Sequence, residues 1–196
     1  MKMKQWGALF LTSLWLVACA ATPAAEPDSN LLYFTHRMDA DSSLLAPGHL
    51  RQTLGAQATG EWGDLMQLHT AQPAAAVLID GAAAEHADAD DLARLYRQCV
   101  VLVFFNLYAP DVAALVNAPS LLANGWMDGS DPYAGDFYIL LHRRASGSQG
   151  DCSGAGPSGS PGATGGLSQG GSQGQLSTQA EFDTFEQVLT LELAQP

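Results

Sequence analysis

Basic side chains are scarce in this chain, which has 8 lysines and arginines against 20 aspartates and glutamates over its 196 residues. The net charge is −12, and both lysines, Lys2 and Lys4, lie within the first four residues. Because a nucleic-acid interface needs a basic face that neutralises phosphates, this balance excludes nucleic acid as a partner. Anionic membrane surfaces should also repel the folded part of the chain, so its charge favours a soluble domain.

The chain also lacks the motifs of common cofactor and metal sites. Gly81 is followed by three alanines, which does not match the glycine spacing of a phosphate-binding loop. The five histidines are scattered, without an HExxH pair, so we predict no zinc site. The acidic runs at 88–91 and 128–136 are explained more simply by a helix N-terminus and by a loop whose spacing misses the EF-hand register. We therefore predict neither a cofactor nor a bound metal.

The amino terminus has the pattern of a secretory leader. Lys2 and Lys4 precede an apolar run over residues 6–18 that only Thr12 and Ser13 interrupt. A helix over these 13 residues would span about 20 Å, which is short of the ~30 Å hydrocarbon core of a bilayer. We therefore expect a cleaved signal peptide over residues 1–18 rather than a permanent membrane span.

The end of this leader resembles the lipobox of bacterial lipoproteins, Leu-x-Ala/Gly-Cys, in its residues Leu16, Val17, Ala18 and Cys19. The resemblance implies that the Cys19 thiol carries fatty-acyl chains such as palmitate, and that the leader is cut before Cys19. Such a lipid anchor holds a soluble domain firmly, since each buried CH₂ contributes roughly 0.8 kcal/mol. The protein would then sit on the cell membrane or the outer membrane, with its domain facing the periplasm or the exterior. Ala20 after the cysteine favours the outer membrane in an organism that has two.

Strand and helix patterns alternate beyond a proline-containing spacer that ends at residue 30. Apolar runs predict strands at residues 31–36, 75–79, 100–105 and 137–141, with a weaker strand over 64–69. Helical spacing predicts helices at residues 44–54, 88–99 and 109–116. Wholly apolar strands are tolerated only in a sheet that is covered on both sides. The pattern therefore predicts an α/β domain with a doubly wound, mostly parallel sheet and helices on both faces.

This layout is similar to class I glutamine amidotransferase-like and flavodoxin-like α/β folds, in architecture alone. The amidotransferase family places its nucleophile in a Gly-x-Cys-x-Gly turn after a buried strand. Here the strand at 100–105 runs into Asn106, Leu107 and Tyr108, without a nucleophile or glycines, and Cys99 lies at its other end. The resemblance therefore implies no catalytic residue in this chain.

A glycine- and serine-rich segment interrupts the domain. Residues 145–175 include 11 glycines and 7 serines among 31 residues, and Leu167 is their only large apolar side chain. Such a segment buries too little surface to offset its ordering entropy, so we predict a disordered insertion in a domain of residues 31–144 and 176–196. Thr178 and Glu181 match a capping box and favour a final helix, although residues 188–193 also alternate as a strand would.

Polar side chains follow the predicted parallel strands at their carboxyl ends, where open α/β sheets bind ligands. His36 and Asp80 are the candidate catalytic residues of this edge, and Asn106 and Gly81 are the candidate ligand-binding residues. Because no recognisable nucleophile accompanies them, we favour a non-catalytic domain that binds a small molecule or an envelope protein. A cell-envelope hydrolase or transferase that uses His36, Asp80 and Asn106 is the alternative.

Two cysteines remain besides Cys19. In an exported protein Cys99 and Cys152 can pair, because oxidising compartments permit disulfides. The alternative, which we favour, is that Cys99 is a small apolar core residue on the helix at 88–99. Cys152 would then lie unpaired in the disordered insertion.

Overall fold

The structure, a computed structural model, describes residues 30–39, 43–118, 126–129, 135–145 and 167–194. The leader, the lipobox with Cys19 and the spacer before Asn30 lie outside these ranges, as does Cys152. No helix within the described ranges combines the length and the apolar character that a bilayer crossing requires.

Six strands of the described residues form one mixed sheet. They are β1 (Leu31–Phe34), β2 (Gln57–Thr59), β3 (Ala76–Asp80), β4 (Val101–Phe105), β5 (Phe137–Ala145) and β6 (Leu167–Gln175). Their order across the sheet is β2-β1-β3-β4-β5-β6. The first four strands are mutually parallel, β5 runs antiparallel to β4, and β6 runs antiparallel to β5. The prediction of an α/β domain with a mostly parallel sheet is confirmed.

Helices connect these strands. They are α1 (Pro47–Leu54), α2 (Trp62–Ala71), a short 3-10 helix (Ala84–His86), α3 (Ala89–Arg97), α4 (Ala109–Leu115) and α5 (Gln179–Leu193). The Asp88 side chain accepts the Asp91 N–H at the start of α3, so this acidic run is indeed a helix N-terminus. Thr178 and Glu181 form the predicted capping box of α5, and residues 188–193 are helical.

Both faces of the sheet are buried under helices. Alternate side chains of each strand point to opposite faces. Phe34 belongs to a buried cluster that includes side chains of α2, α3 and α4, whereas its neighbour Tyr33 belongs to a second cluster with side chains of α1 and α5. Strands β3 and β4 are buried along their whole length. Their apolar sequences, which are continuous up to Asp80 at the end of β3, are therefore explained by cover on both sides.

Residues 64–69 are helical, so the prediction of a strand there is wrong. They lie within α2, where Trp62 and Leu65 are buried and Leu68 packs against the first cluster. These three positions are spaced by three residues and share one face of a helix. A run of six residues with three apolar side chains is too short to separate a helix from a strand.

The prediction of disorder over residues 145–175 is wrong for the 9 residues of β6. This strand pairs with β5 along its full length, from Phe137 opposite Gln175 to Ala145 opposite Leu167. Strand β5 accordingly continues to residue 145, beyond the predicted end at residue 141. Residues 146–166 of the predicted insertion lie outside the described ranges.

Glycines in β6 make room for large neighbouring groups. A Cβ at Gly171 would overlap the carbonyl oxygen of Leu140 and lie 2.8 Å from the Trp126 ring. A Cβ at Gly170 would lie 2.5 Å from the His142 ring. Glycine is therefore required at these positions of β6, because β5 and Trp126 already occupy the space that a larger side chain would need.

Cys99 follows α3 and is disulfide-bonded. Its φ of 62° lies in the left-handed region, so α3 ends at Arg97 and Cys99 does not extend the apolar face of that helix. The residue is half-buried. Our interpretation of Cys99 as an apolar core residue is therefore wrong. The other two cysteines, Cys19 and Cys152, both lie outside the described residues.

Replacing Gly171 by alanine should destabilise the domain, because the added methyl group overlaps the backbone of β5. Overpacking of this kind lowers the unfolding free energy by about 1–3 kcal/mol, which a urea titration would detect as a lower midpoint. Gly48→Ala in α1 is the matched control, since nothing lies within 4 Å of a Cβ there. Equal midpoints for Gly171→Ala and the unaltered protein would contradict the close packing of β6 on β5.

Candidate functional site

The chain reverses its direction across the sheet next to β1. From β1 it passes through α1 to β2 on one side, and it then returns through α2 to β3 on the other side. The loop after β1 leads to α1 on one face of the sheet, and the loop after β3 leads to α3 on the opposite face, so the two loops diverge at neighbouring strand ends. In open α/β sheets such a point forms a crevice where ligands bind. We call the carboxyl ends of β1, β3 and β4, with residues 35–37, 80–82 and 106, the strand-end rim.

Asp80 is the buried centre of this rim, with a side chain only 2% exposed. Its Oδ2 accepts a hydrogen bond from the Thr35 hydroxyl (3.0 Å) and lies 3.3 Å from Nε of Arg37. Its Oδ1 accepts the backbone N–H of Ala82 (3.2 Å). The Thr35 hydroxyl oxygen in turn accepts the backbone N–H of Arg37 (3.0 Å). A buried carboxylate needs such partners, and here they fasten the loop after β1 to the loop after β3.

The negative charge of Asp80 contributes to the raised pKa of the neighbouring Tyr33 hydroxyl. Burial raises the pKa of Tyr33 far above its ordinary value, the hydrogen bond with Thr35 lowers it, and the negative charge of Asp80 raises it again. The hydroxyl donates a hydrogen bond to the Leu45 carbonyl oxygen at 3.0 Å. Tyr33 therefore stays protonated as a structural donor, and it does not supply a base to the rim.

His36 packs against His86, and not against Asp80. The two imidazole ring centroids lie 4.6 Å apart, and the His36 ring meets the Phe34 ring edge-on at 5.5 Å. His86 ends the 3-10 helix after β3, and its Nε2 lies 3.4 Å from Oε1 of Glu85. Both histidines are exposed. The structure thus brings His36 and Asp80 to one edge of the sheet but gives them different partners.

Asn106 and Gly81 hold backbone at the ends of β4 and β3. The Asn106 Nδ2 donates to Oδ1 of Asp136 (2.9 Å), and its Oδ1 accepts the backbone N–H of Phe137 (3.0 Å). Gly81 donates its N–H to the Phe105 carbonyl oxygen at 2.7 Å. A Cβ at Gly81 would lie only 2.7 Å from the Asn106 carbonyl oxygen, so glycine permits the close approach of the two turns. Both ends of the Asn106 amide are engaged within the chain.

Sequence reasoning missed Thr35 and His86 at this rim. The register of β1 and β3, with Phe34 opposite Ile79, places Thr35 beside Asp80. The sequence does contain a signal for this pair, because Thr35 and Asp80 each directly follow an apolar run. His86 gave no such signal, because it reaches His36 only through the fold of the 3-10 helix.

Several of the acidic residues that suggested metal binding have structural partners. Asp91 accepts a hydrogen bond from Nε1 of Trp62 (3.1 Å) and pairs with Arg94, and Asp136 accepts the amide of Asn106. Within the residues that the structure describes, no three His, Cys, Asp or Glu side chains converge as metal ligands. Asp131, from the second acidic run, lies outside those residues.

The rim offers a ligand cationic and hydrogen-bonding groups at its surface. The Arg37 side chain is 52% exposed, and the His36 and His86 rings are exposed beside it. Guanidinium and imidazole groups donate hydrogen bonds to anions and carbonyl oxygens. The Asp80 carboxylate, by contrast, has both oxygens engaged inside the chain. The arrangement is therefore suited to binding rather than to proton transfer by Asp80.

Asp80→Ala should lower the unfolding free energy by about 1–3 kcal/mol, because it leaves the buried Thr35 hydroxyl without its acceptor. The ion pair adds little to this loss, since the Arg37 side chain is 52% exposed. His36→Ala is the control and should cost about 1 kcal/mol or less, the usual contribution of a ring contact. Thermal and urea denaturation of both variants would test this. A fully stable Asp80→Ala protein would contradict a structural role for this carboxylate.

Comparison with known proteins gives no relative for this chain: no family model, curated protein or solved structure matches it. Its function is therefore argued from its own residues.

Proposed function

We propose that this chain is an exported, lipid-anchored protein of the bacterial cell envelope, whose α/β domain binds a ligand or partner without converting it. The anchor would be on Cys19, and the domain would face the periplasm or the exterior from the cell membrane or outer membrane. The lipobox-type residues Leu16–Val17–Ala18–Cys19 support the anchor. We also propose that the sheet is doubly wound, since the chain crosses one face through α1 and the opposite face through α2 and α3.

The observation that carries the binding function is the engagement of Asp80 and Asn106 within the chain. A general acid or base must reach the proton that it transfers, through a hydrogen bond to the substrate. The Asp80 carboxylate instead accepts three interactions from its own chain, and the Asn106 amide joins β4 to β5. A hydrolase or transferase that uses His36, Asp80 and Asn106 together is therefore less well supported than a binding domain.

The disulfide at Cys99 supports export. Disulfides persist in oxidising compartments such as the periplasm and the cell exterior, and they are rare in the cytosol. The chain has 3 cysteines, and acylation of the Cys19 thiol would withdraw it from pairing. We therefore propose Cys152 as the partner of Cys99.

Lipidation can be tested by expressing the full chain in a bacterium that is fed labelled palmitate. The unaltered protein should carry the label and fractionate with membranes, because the acyl chains insert into the bilayer. Cys19→Ser should lose the label. The matched control, Cys19→Ser combined with Thr22→Cys, moves the thiol by three positions and should stay unlabelled, because the lipobox specifies the site. A mature protein that retains Met1 and carries no lipid would contradict the proposal.

The cysteine pairing can be tested by peptide mapping of the purified protein without reductant. A peptide with Cys99 should be recovered joined to one with Cys152, and reduction should separate the two. Cys152→Ser should make the Cys99 thiol reactive toward iodoacetamide, whereas Ser153→Ala should not. Alkylation of Cys99 in the unreduced, unaltered protein would contradict both the pairing and the support that it lends to export.

A further inference from the structure

A groove between α3 and α4 that reaches Arg143 of β5 has the size of a small-molecule site. Its volume is about 640 Å³, and ligand pockets commonly measure about 300–1,000 Å³. Small apolar side chains form much of the lining, among them Ala93 and Ala114. The polar groups at the β5 end of the groove belong to Tyr96, Arg97 and Arg143.

Two arginines in one groove stand out in a chain of net charge −12. Arg37 and Arg94 each pair with an aspartate. Arg97 and Arg143, by comparison, form no ion pair in the part of the chain that the structure describes. The Nε of Arg97 donates to the Ala93 carbonyl oxygen at 3.0 Å, and within the described residues its terminal nitrogens have no ion-pair partner.

The Nε of Arg143 is buried and has no hydrogen-bond acceptor within the described structure. A buried donor without an acceptor is unfavourable, and a ligand that supplies one removes this cost. The neighbouring Tyr96 hydroxyl remains a donor, because burial raises the pKa of Tyr96 and the charge of Arg143 only partly opposes that shift. This end of the groove therefore presents several hydrogen-bond donors, which a ligand with a negatively charged acceptor group would satisfy.

The other end of the groove is acidic. Asp90 lines it seven residues before Arg97 on α3, a rise of about 10 Å along the helix. An adjoining cavity of about 530 Å³ shares Ala114 and Leu115 with the groove and is lined by Glu85 and Asp111. A ligand with negative charge at both ends would be repelled here, whereas one with a single negative head would be oriented.

We propose that this groove binds a small molecule that carries one carboxylate on a compact apolar body, with the carboxylate against Arg97 and Arg143. Guanidinium groups bind carboxylates through paired hydrogen bonds, and the apolar wall would cover the rest of the ligand. A monoanion is favoured over phosphate, because the surplus of acidic residues repels a second negative charge. The inference rests on the proposed binding function and is independent of the lipid anchor.

Phenylacetate is a suitable probe, with the isosteric neutral phenylacetamide and with inorganic phosphate as comparisons. Calorimetric titration of the purified protein should show saturable binding of phenylacetate in the millimolar range and weaker or undetectable binding of the other two. Arg143→Gln and Arg97→Gln should each weaken phenylacetate binding about tenfold or more, as expected for the loss of charged hydrogen bonds. Arg143→Lys keeps the charge without the planar fork and should restore only part of the affinity.

Arg51→Gln on α1 is the matched control, because Arg51 is exposed and does not line this groove. It should leave phenylacetate binding unchanged, and urea midpoints of all variants would show that they are folded. Should Arg143→Gln fail to fold, the exposed Arg97 supplies the same test. Phenylacetamide binding as tightly as phenylacetate, or phenylacetate binding that is absent or insensitive to both arginines, would overturn the proposal. Tighter binding of phosphate would overturn the ligand class and leave a binding function in place.

Discussion

The burial of predominantly apolar strands on both faces is the constraint on which this domain depends. Each side chain of β3 and β4 is buried, and, apart from Asp80 at the end of β3, those of successive residues enter different clusters. At roughly 25 cal/mol per Å² of apolar surface, this burial is the main favourable contribution to folding. It requires helices on the two sides, and the crossovers through α1 and α2 supply them. The chain reverses its direction next to β1, where the loops after β1 and β3 lead to helices on opposite faces of the sheet.

Where the apolar strands end, polar side chains join loops that the sheet itself does not hold. Asp80 connects the loops after β1 and β3, and Asn106 connects the end of β4 to the start of β5. Polar residues at strand ends are thus as well explained by structure as by chemistry. Arg143 differs from them, because its buried nitrogen has no acceptor in the described structure. An unsatisfied buried donor is a stronger sign of a ligand than a strand-end position is.

The parallel part of the sheet was predictable because local sequence suffices to recognise it. A few neighbouring residues are enough to recognise the apolar runs of β1, β3 and β4. The same holds for the Asp88 cap and the Thr178 capping box. Residues 64–69 were mistaken for a strand, because an apolar pattern over only six residues does not separate a strand from one face of a helix. Strand β6 was missed for another reason. Its glycines are explained only by side chains elsewhere in the chain, such as Trp126 and His142.

The candidate sites likewise divide into features that local sequence predicts and features that depend on residues far apart in the chain. His36 and Asp80 could be placed at one edge from the strand pattern, since parallel strands end together. Their actual partners, His86 and Arg37, depend on how loops fold back, and no short pattern encodes that. The groove at Arg143 could not be predicted from the sequence, because it is lined by residues from α3, α4 and β5 that lie far apart in the chain.

The polarity of β1 has a consequence for a tethered protein. This strand begins at Leu31, so a tether from Cys19 enters the sheet at the edge opposite the one that carries His36 and Asp80. The 12 residue steps from Cys19 to Leu31 reach at most about 43 Å when fully extended. A domain acylated at Cys19, as proposed, would therefore be tethered at the amino-terminal end of β1, and the strand-end rim would lie at the opposite end of the strands, away from the attachment point.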